Sequence, residues 1–140
     1  MLSRVSGLLF CAVAICWTQD QKSEVRHIPA PITSAASGKE MFQGYCASCH
    51  GADAKGDGPA AAALKTAPAD LTTLSKRNGG IFPADRVSSI LRGKATVTAH
   101  GNRDMPVWGP VFWSMSQGHE SEVQQRIANL AHYIESLQVK

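Results

Sequence analysis

Cys46-Ala47-Ser48-Cys49-His50 sets two thiols three residues apart and follows them directly with an imidazole. C-x-x-C-H is the spacing at which a chain bonds covalently to haem: each thiol adds to one vinyl group and becomes a thioether, and the adjacent histidine falls beneath the iron. Two other chemistries use a Cys-x-x-Cys pair. A redox dithiol of the thioredoxin type needs a βαβ context, which this sequence does not suggest. A structural zinc needs four ligands, and besides Cys46 and Cys49 the chain offers only scattered histidines and the N-terminal Cys11 and Cys16. No disulfide framework remains once those two are set aside.

Stepping outward, the elements that must position this run are short and helical. Ser37-Gly38-Lys39-Glu40 matches a capping box, in which the serine hydroxyl takes one orphan N–H and the glutamate reaches back to another. Met41, Phe42 and Tyr45 then recur at helical spacing, so a first helix is expected over 38–50, with Phe42, Tyr45, Cys46 and Cys49 on adjoining stripes. Three glycines and two aspartates in 51–58 make a surface loop. A short helix is expected over 60–64 and another over 70–76, capped by Asp70 and stopped by Asn78-Gly79-Gly80. Val87, Ile90 and Leu91 give 83–92 one apolar face, with Gly93 just past its end. Residues 94–117 carry no sustained period and hold Pro106, Pro110, Trp108 and Trp113, so they are expected as a long, packed loop. A final helix over 120–138 has a stripe of Val123, Ile127, Leu130, Ala131, Ile134 and Leu137, with Gln124, Gln125, Arg126 and Glu135 facing water. No alternating strand and no internal repeat is present, and the expected class is all-α.

Glu40-Met41-Phe42 leading into Tyr45-Cys46-Ala47-Ser48-Cys49-His50-Gly51, then Met105-Pro106-Val107-Trp108-Gly109, then Tyr133-Ile134-Glu135-Ser136-Leu137 together resemble the class I c-type cytochromes over residues 37–140. The resemblance implies a cytochrome c-like fold of four to five short helices around one covalent haem c, with the first and last helices crossing. It also implies a sixth iron ligand from a proline-stiffened loop late in the chain. Met105 is that candidate, beside the plainer reading of a methionine that fills core space; a thioether opposite histidine raises the reduction potential relative to a second imidazole. Met115 is the alternative thioether and His100 the competing imidazole. Met41 is expected in the core, His27 in the tether, and His119 and His132 in the last helix. In similar cytochromes a proline carbonyl accepts the second ring N–H of the histidine ligand; Pro68 is the match here, or else simply a turn residue. Trp108 is expected either against the haem or in ordinary core burial, and Arg77, Arg86 and Arg92 are candidate partners for the haem propionates.

Met1 to Trp17 has a basic start and a thirteen-residue apolar run, which makes residues 1–17 an export leader. The run is shorter than the roughly 20 residues that span a bilayer. Ala12-Val13-Ala14 offers a cleavage site, whereas Cys16 followed by a polar stretch offers a lipid anchor, against which Ile15 speaks. Residues 18–36 are expected as a flexible tether or an extended wrap, and 37–140 as the cytochrome domain. Fourteen basic and eleven acidic residues give a net charge of +3. Loss of Arg4 with a leader lowers it to +2, and two propionates bring it near neutrality, which argues against nucleic acid as a partner. The expected function is one-electron transfer between redox proteins in the periplasm, free or membrane-anchored, with no substrate transformed. The alternatives are a haem subunit of a larger respiratory or dehydrogenase complex, and a haem enzyme or gas sensor with an open sixth position.

Overall fold

Ser37 starts the first helix as its capping box requires, accepting the Glu40 N–H on its hydroxyl at 3.2 Å. The Glu40 carboxylate reaches further back than the motif implies, to the Ser34 N–H at 3.4 Å. These contacts belong to a computed structural model that describes residues 30–95 and 105–139. The expected leader, the tether as far as residue 29, Cys16, His27 and His100 lie outside the described residues.

Helical backbone runs unbroken through α1 (Gly38–Met41), a π-helical segment (Phe42–Cys46) and α2 (Ala47–His50). The extent matches the helix expected over 38–50, but the middle is wider than an α-helix: the Ala47 N–H bonds the Phe42 carbonyl five residues back. Such π segments concentrate at functional sites, and this one ends on Cys46. The expected second helix is a 3₁₀ turn at Ala61–Ala63. The third is a 3₁₀ turn at Leu71–Thr73 running into α3 (Leu74–Arg77), with Asp70 as its cap. α4 (Ala84–Arg92) ends on Gly93 at φ +76°, as the glycine at that position predicts.

Residues 94–117 are not one long loop, because α5 (Trp108–Met115) forms inside them. Pro106, Gly109 and Pro110 hide this helix from a sequence reading. Pro110, however, falls in the first helical turn, where a missing N–H costs no intrahelical bond. α6 (Glu120–Ser136) is the longest element and buries Val123, Ile127, Leu130, Ala131 and Ile134. All regular elements among the described residues are helical, and none is long and apolar enough to cross a membrane.

The core forms where α1 crosses α6 and where α4 and α5 lean on the same helix. Met41, Phe42, Phe112 and Leu130 are fully buried there, and the Phe42 and Tyr133 rings meet at 5.4 Å. Gly38 makes the crossing close, since a Cβ on it would run into the Asn129 carbonyl and Tyr133 Cβ.

Arg126 corrects the expectation that it faces water: it is 4 % exposed. A buried cation must be paired and hydrogen-bonded. Its guanidinium meets Glu122 at 2.8 Å and donates to Ser116 Oγ at 3.3 Å and the Thr33 carbonyl at 3.0 Å. The last bond holds residues 31–35 against α6, helped by Asn129 Nδ2 donating to the Ala35 carbonyl at 2.8 Å and the Tyr45 hydroxyl donating to the Pro31 carbonyl at 2.7 Å. These residues are therefore a docked wrap, and the packed unit begins before Ser37.

Gly38→Ala has no room at the α1–α6 crossing and has to push backbone from backbone. It is expected to lower stability by about 2 kcal/mol, read as an earlier guanidinium midpoint with an unchanged slope.

Candidate functional site

His50 is the last residue of α2, and the chain turns away at Gly51, whose φ is +80°. The loop after it folds back to satisfy the open carbonyls of the helix end: the Gly56 N–H reaches the His50 carbonyl at 2.8 Å, and the Gly58 N–H the Cys49 carbonyl at 3.1 Å. Gly56, at φ +85°, lies so close to the Pro68 carbonyl that any Cβ would collide with it. The segment 68–70 is thereby stacked on the loop 51–58 and brought beside the imidazole.

The carbonyl that meets the ring belongs to Ala69, not to Pro68. His50 Nδ1 donates to the Ala69 oxygen at 3.0 Å, which leaves Nε2 as the nitrogen with a lone pair. The reason is local. Asp70 accepts the Thr72 N–H at 2.8 Å and the Thr72 hydroxyl at 2.6 Å, and Leu71 donates to the Ala54 carbonyl at 2.8 Å. These bonds fix the chain just after Ala69, while the Pro68 carbonyl is the one taken up against Gly56.

Two cavities open beside this histidine, and Cys46, His50 and Met105 line both. The narrower one is completed by Cys49, Tyr45, Pro68, Pro106 and Trp108, so all six residues singled out from the sequence share one wall. The larger, of about 360 Å³, runs between α3, α4 and α6 along Leu74, Val87, Leu91 and Ile134. Its volume falls in the range of small-molecule and cofactor sites. Arg77 and Arg86 also line it, and they bring positive charge to a mostly apolar lining. Arg92, the third arginine considered for this role, is instead paired with Glu120 at 3.0 Å.

Trp108 is both cavity wall and core. It is buried and stacks on Tyr45 at 5.1 Å and Phe112 at 5.8 Å. Tyr45 was expected on a stripe adjoining Cys46 and Cys49 without a role at the site, and that shared stripe is the signal that puts it in the wall. Met41 is a core residue as expected. Met115 stands off at the Tyr45 hydroxyl, which approaches its sulfur at 3.5 Å. His119 precedes α6 rather than lying in it and bonds the Ser116 carbonyl at 2.8 Å, and His132 is exposed.

The chemistry of this enclosure suits thioether, not thiolate. Burial, with a smaller contribution from neighbouring Cys49, pushes the Cys46 thiol up to about 12, so the free thiolate that dithiol exchange needs is suppressed. Among the described residues, no three of His, Cys, Asp or Glu come together as a metal cluster. A thioether carries neither charge nor acidic proton and suits the same buried position. The donors that remain are one oriented imidazole nitrogen and the Met105 sulfur. Together with an apolar enclosure and cations on one wall, they fit a flat, largely apolar, iron-bearing group with acidic substituents.

A protein-family model described as Cytochrome c matches residues 35–138. No curated protein and no solved structure matches the chain. The matched span begins within the docked wrap and ends just past α6, so it covers every element that builds the two cavities.

Asp70 caps the turn behind the Ala69 carbonyl, and its carboxyl is held below the usual range. The Thr72 hydroxyl is the main cause, opposed by partial burial and aided by the Thr72 N–H, Arg77 and Lys55. A depressed carboxyl contributes stability that is present above its unfolded pKa and is lost as the pH falls through its folded value. Asp70→Ala is therefore expected to cost about 1 kcal/mol near neutral pH. That cost should shrink when guanidinium unfolding is repeated below the ordinary carboxylate range, where the wild-type cap is protonated as well.

Proposed function

The chain belongs to the cytochrome c family, and from that membership we propose that it shuttles single electrons between exported redox proteins, with His50 and Met105 as the two axial ligands of its haem. It is a class I c-type cytochrome with an all-α fold and a covalently bound haem c, a haem-binding electron-transfer protein. The cofactor supplies a one-electron iron couple. Cys46 and Cys49 hold it through thioether bonds. The observation that carries the ligand assignment is the presence of His50 and Met105 in the walls of both cavities, with Cys46 beside them.

What the chain does follows from the surroundings of that couple. The His50 ring cannot rotate, because its Nδ1–H is committed to the Ala69 carbonyl, and the same bond makes the imidazole a stronger donor through Nε2. Trp108, Tyr45 and Leu91 give the cavities buried apolar walls, which would limit solvent rearrangement when charge on the iron changes. Arg77 and Arg86 give acidic substituents a cationic wall to face. A thioether opposite the imidazole favours the reduced state. His50 and Met105 would both stay bound as the iron couple changes charge, and the residues would carry an electron without transforming a substrate.

Export, a periplasmic location and the choice between a soluble product and a lipid anchor at Cys16 rest on the leader-like residues 1–17. Met1 to Trp17 combine a basic start with an apolar run too short to span a bilayer. Encounters of such carriers are small and brief, and with two propionates the holoprotein is close to neutral. Its partner is accordingly read as a redox protein, free or part of a larger respiratory or dehydrogenase complex, and nucleic acid is not read as a partner.

Met105→Ala tests the ligand assignment. The oxidised wild-type protein should show the far-red methionine-to-iron charge-transfer band, and the variant should lose it, bind added imidazole or cyanide readily and shift to a lower reduction potential. An unchanged spectrum and potential would place the sixth ligand elsewhere, with His100 and Met115 next in line.

A further inference from the structure

We propose that Gln138, two residues past the end of α6, is a positioning residue for the haem ligand His50. It clamps the segment whose Ala69 carbonyl fixes the imidazole. The proposal rests on His50 being an axial ligand, as read above.

The segment 69–75 is shaped from within by short-range bonds. The Asp70 cap closes on Thr72, and Arg77 donates to the Asp70 carbonyl at 2.7 Å. Such bonds set the form of a turn but not its place relative to His50, which sits on a different helix. Placement needs ties to other parts of the chain. On one side, the Leu71 N–H reaches the Ala54 carbonyl. On the other side the tie is the C-terminal tail. Gln138 Oε1 accepts the Ser75 N–H at 2.8 Å, and Gln138 Nε2 donates to the Leu71 carbonyl at 2.7 Å. The same Nε2 donates to the Ile134 carbonyl of α6 at 2.9 Å, and the Val139 N–H donates to the Thr72 carbonyl at 2.9 Å.

One carboxamide thus spans the turn from Leu71 to Ser75 and joins it to the last turn of α6. Both of its donor hydrogens and one of its two acceptor sites are used. The sequence separation is large, so the bonds are long-range constraints and not part of the local turn. A bond from the ligand's second N–H to a fixed carbonyl raises the basicity of the metal-bound nitrogen and stabilises the oxidised iron. If the clamp is released, the Ala69 carbonyl can drift, the Nδ1–H bond weakens and the reduced state gains.

The test uses the full haem-loaded protein and three variants: Gln138→Ala, Gln138→Glu and a chain ending at Leu137. Gln138→Ala and the shortened chain should raise the reduction potential measured by spectroelectrochemistry. They should also speed hydrogen exchange of the His50 ring N–H by about tenfold, the loss of one hydrogen bond, with far-ultraviolet circular dichroism unchanged. Gln138→Glu keeps an acceptor for Ser75 but loses both donors, and its added negative charge by itself favours the oxidised iron, so its reading is the exchange rate of the His50 ring N–H, which should rise as in Gln138→Ala. This reading still decides the matter if the other two variants fold poorly. Equal exchange rates in wild type and Gln138→Glu, or equal potentials and equal exchange rates in wild type and Gln138→Ala, overturn the clamp. The underlying ligand reading fails separately: in that case the oxidised wild-type protein lacks the iron-induced shifts of the His50 ring protons in its NMR spectrum.

Discussion

A buried imidazole has to place its ring N–H on an acceptor, and here the acceptor is the carbonyl of Ala69, nineteen residues further along the chain. Around that bond the rest of the molecule is organised. Nδ1 is the donor in that bond, and the ring plane is fixed by a piece of backbone that must itself be held still. The loop 51–58, the Asp70 cap, the arginine at 77 and the C-terminal tail all converge on that piece of backbone. Of these, only Arg77 also lines the larger cavity itself.

The helices that enclose the cavity are too short to be stable alone. Their order comes from α6, which receives α1 at the Gly38 crossing and supplies the apolar floor for α4 and α5. Arg126 extends this framework past the helices. Its burial is tolerable only with Glu122, Ser116 and Thr33 all in place, so the extended residues before Ser37 become part of the folded unit. Tyr45 closes the same arrangement from the other direction: its ring stacks on Trp108 in the cavity wall, and its hydroxyl is shared among Thr33, Pro31 and Met115.

The enclosure is chemically divided. Thiol, imidazole and thioether line the part common to both cavities, aliphatic side chains fill the deep side, and Arg77 and Arg86 bring positive charge to the larger one. A low-dielectric surrounding strengthens the interactions between the charges it contains. It also suppresses ionisation of Cys46. The outcome is a place that favours a neutral covalent attachment and an iron whose charge changes by one.

Much of this was written in the sequence. Cys46-Ala47-Ser48-Cys49-His50 determined the chemistry, because attachment and ligation depend on a spacing of five consecutive residues that survives in any fold. The capping serine, the stripe of α6 and Gly93 determined helices for the same reason: each is a pattern whose partners lie within one or two turns. The tertiary structure decided what depends on partners far along the chain. It chose Ala69 over Pro68 as the acceptor, because Gly56 occupies the space at the Pro68 carbonyl. It buried Arg126 on a face whose periodicity reads as solvent, because Thr33 and Ser116 supply acceptors there. It also made a helix of 108–115 despite two nearby prolines, because Trp108 and Phe112 gain a core to enter. Local spacing carries the chemistry of the residues that react; the residues that hold them in place are specified by contacts that no local pattern records.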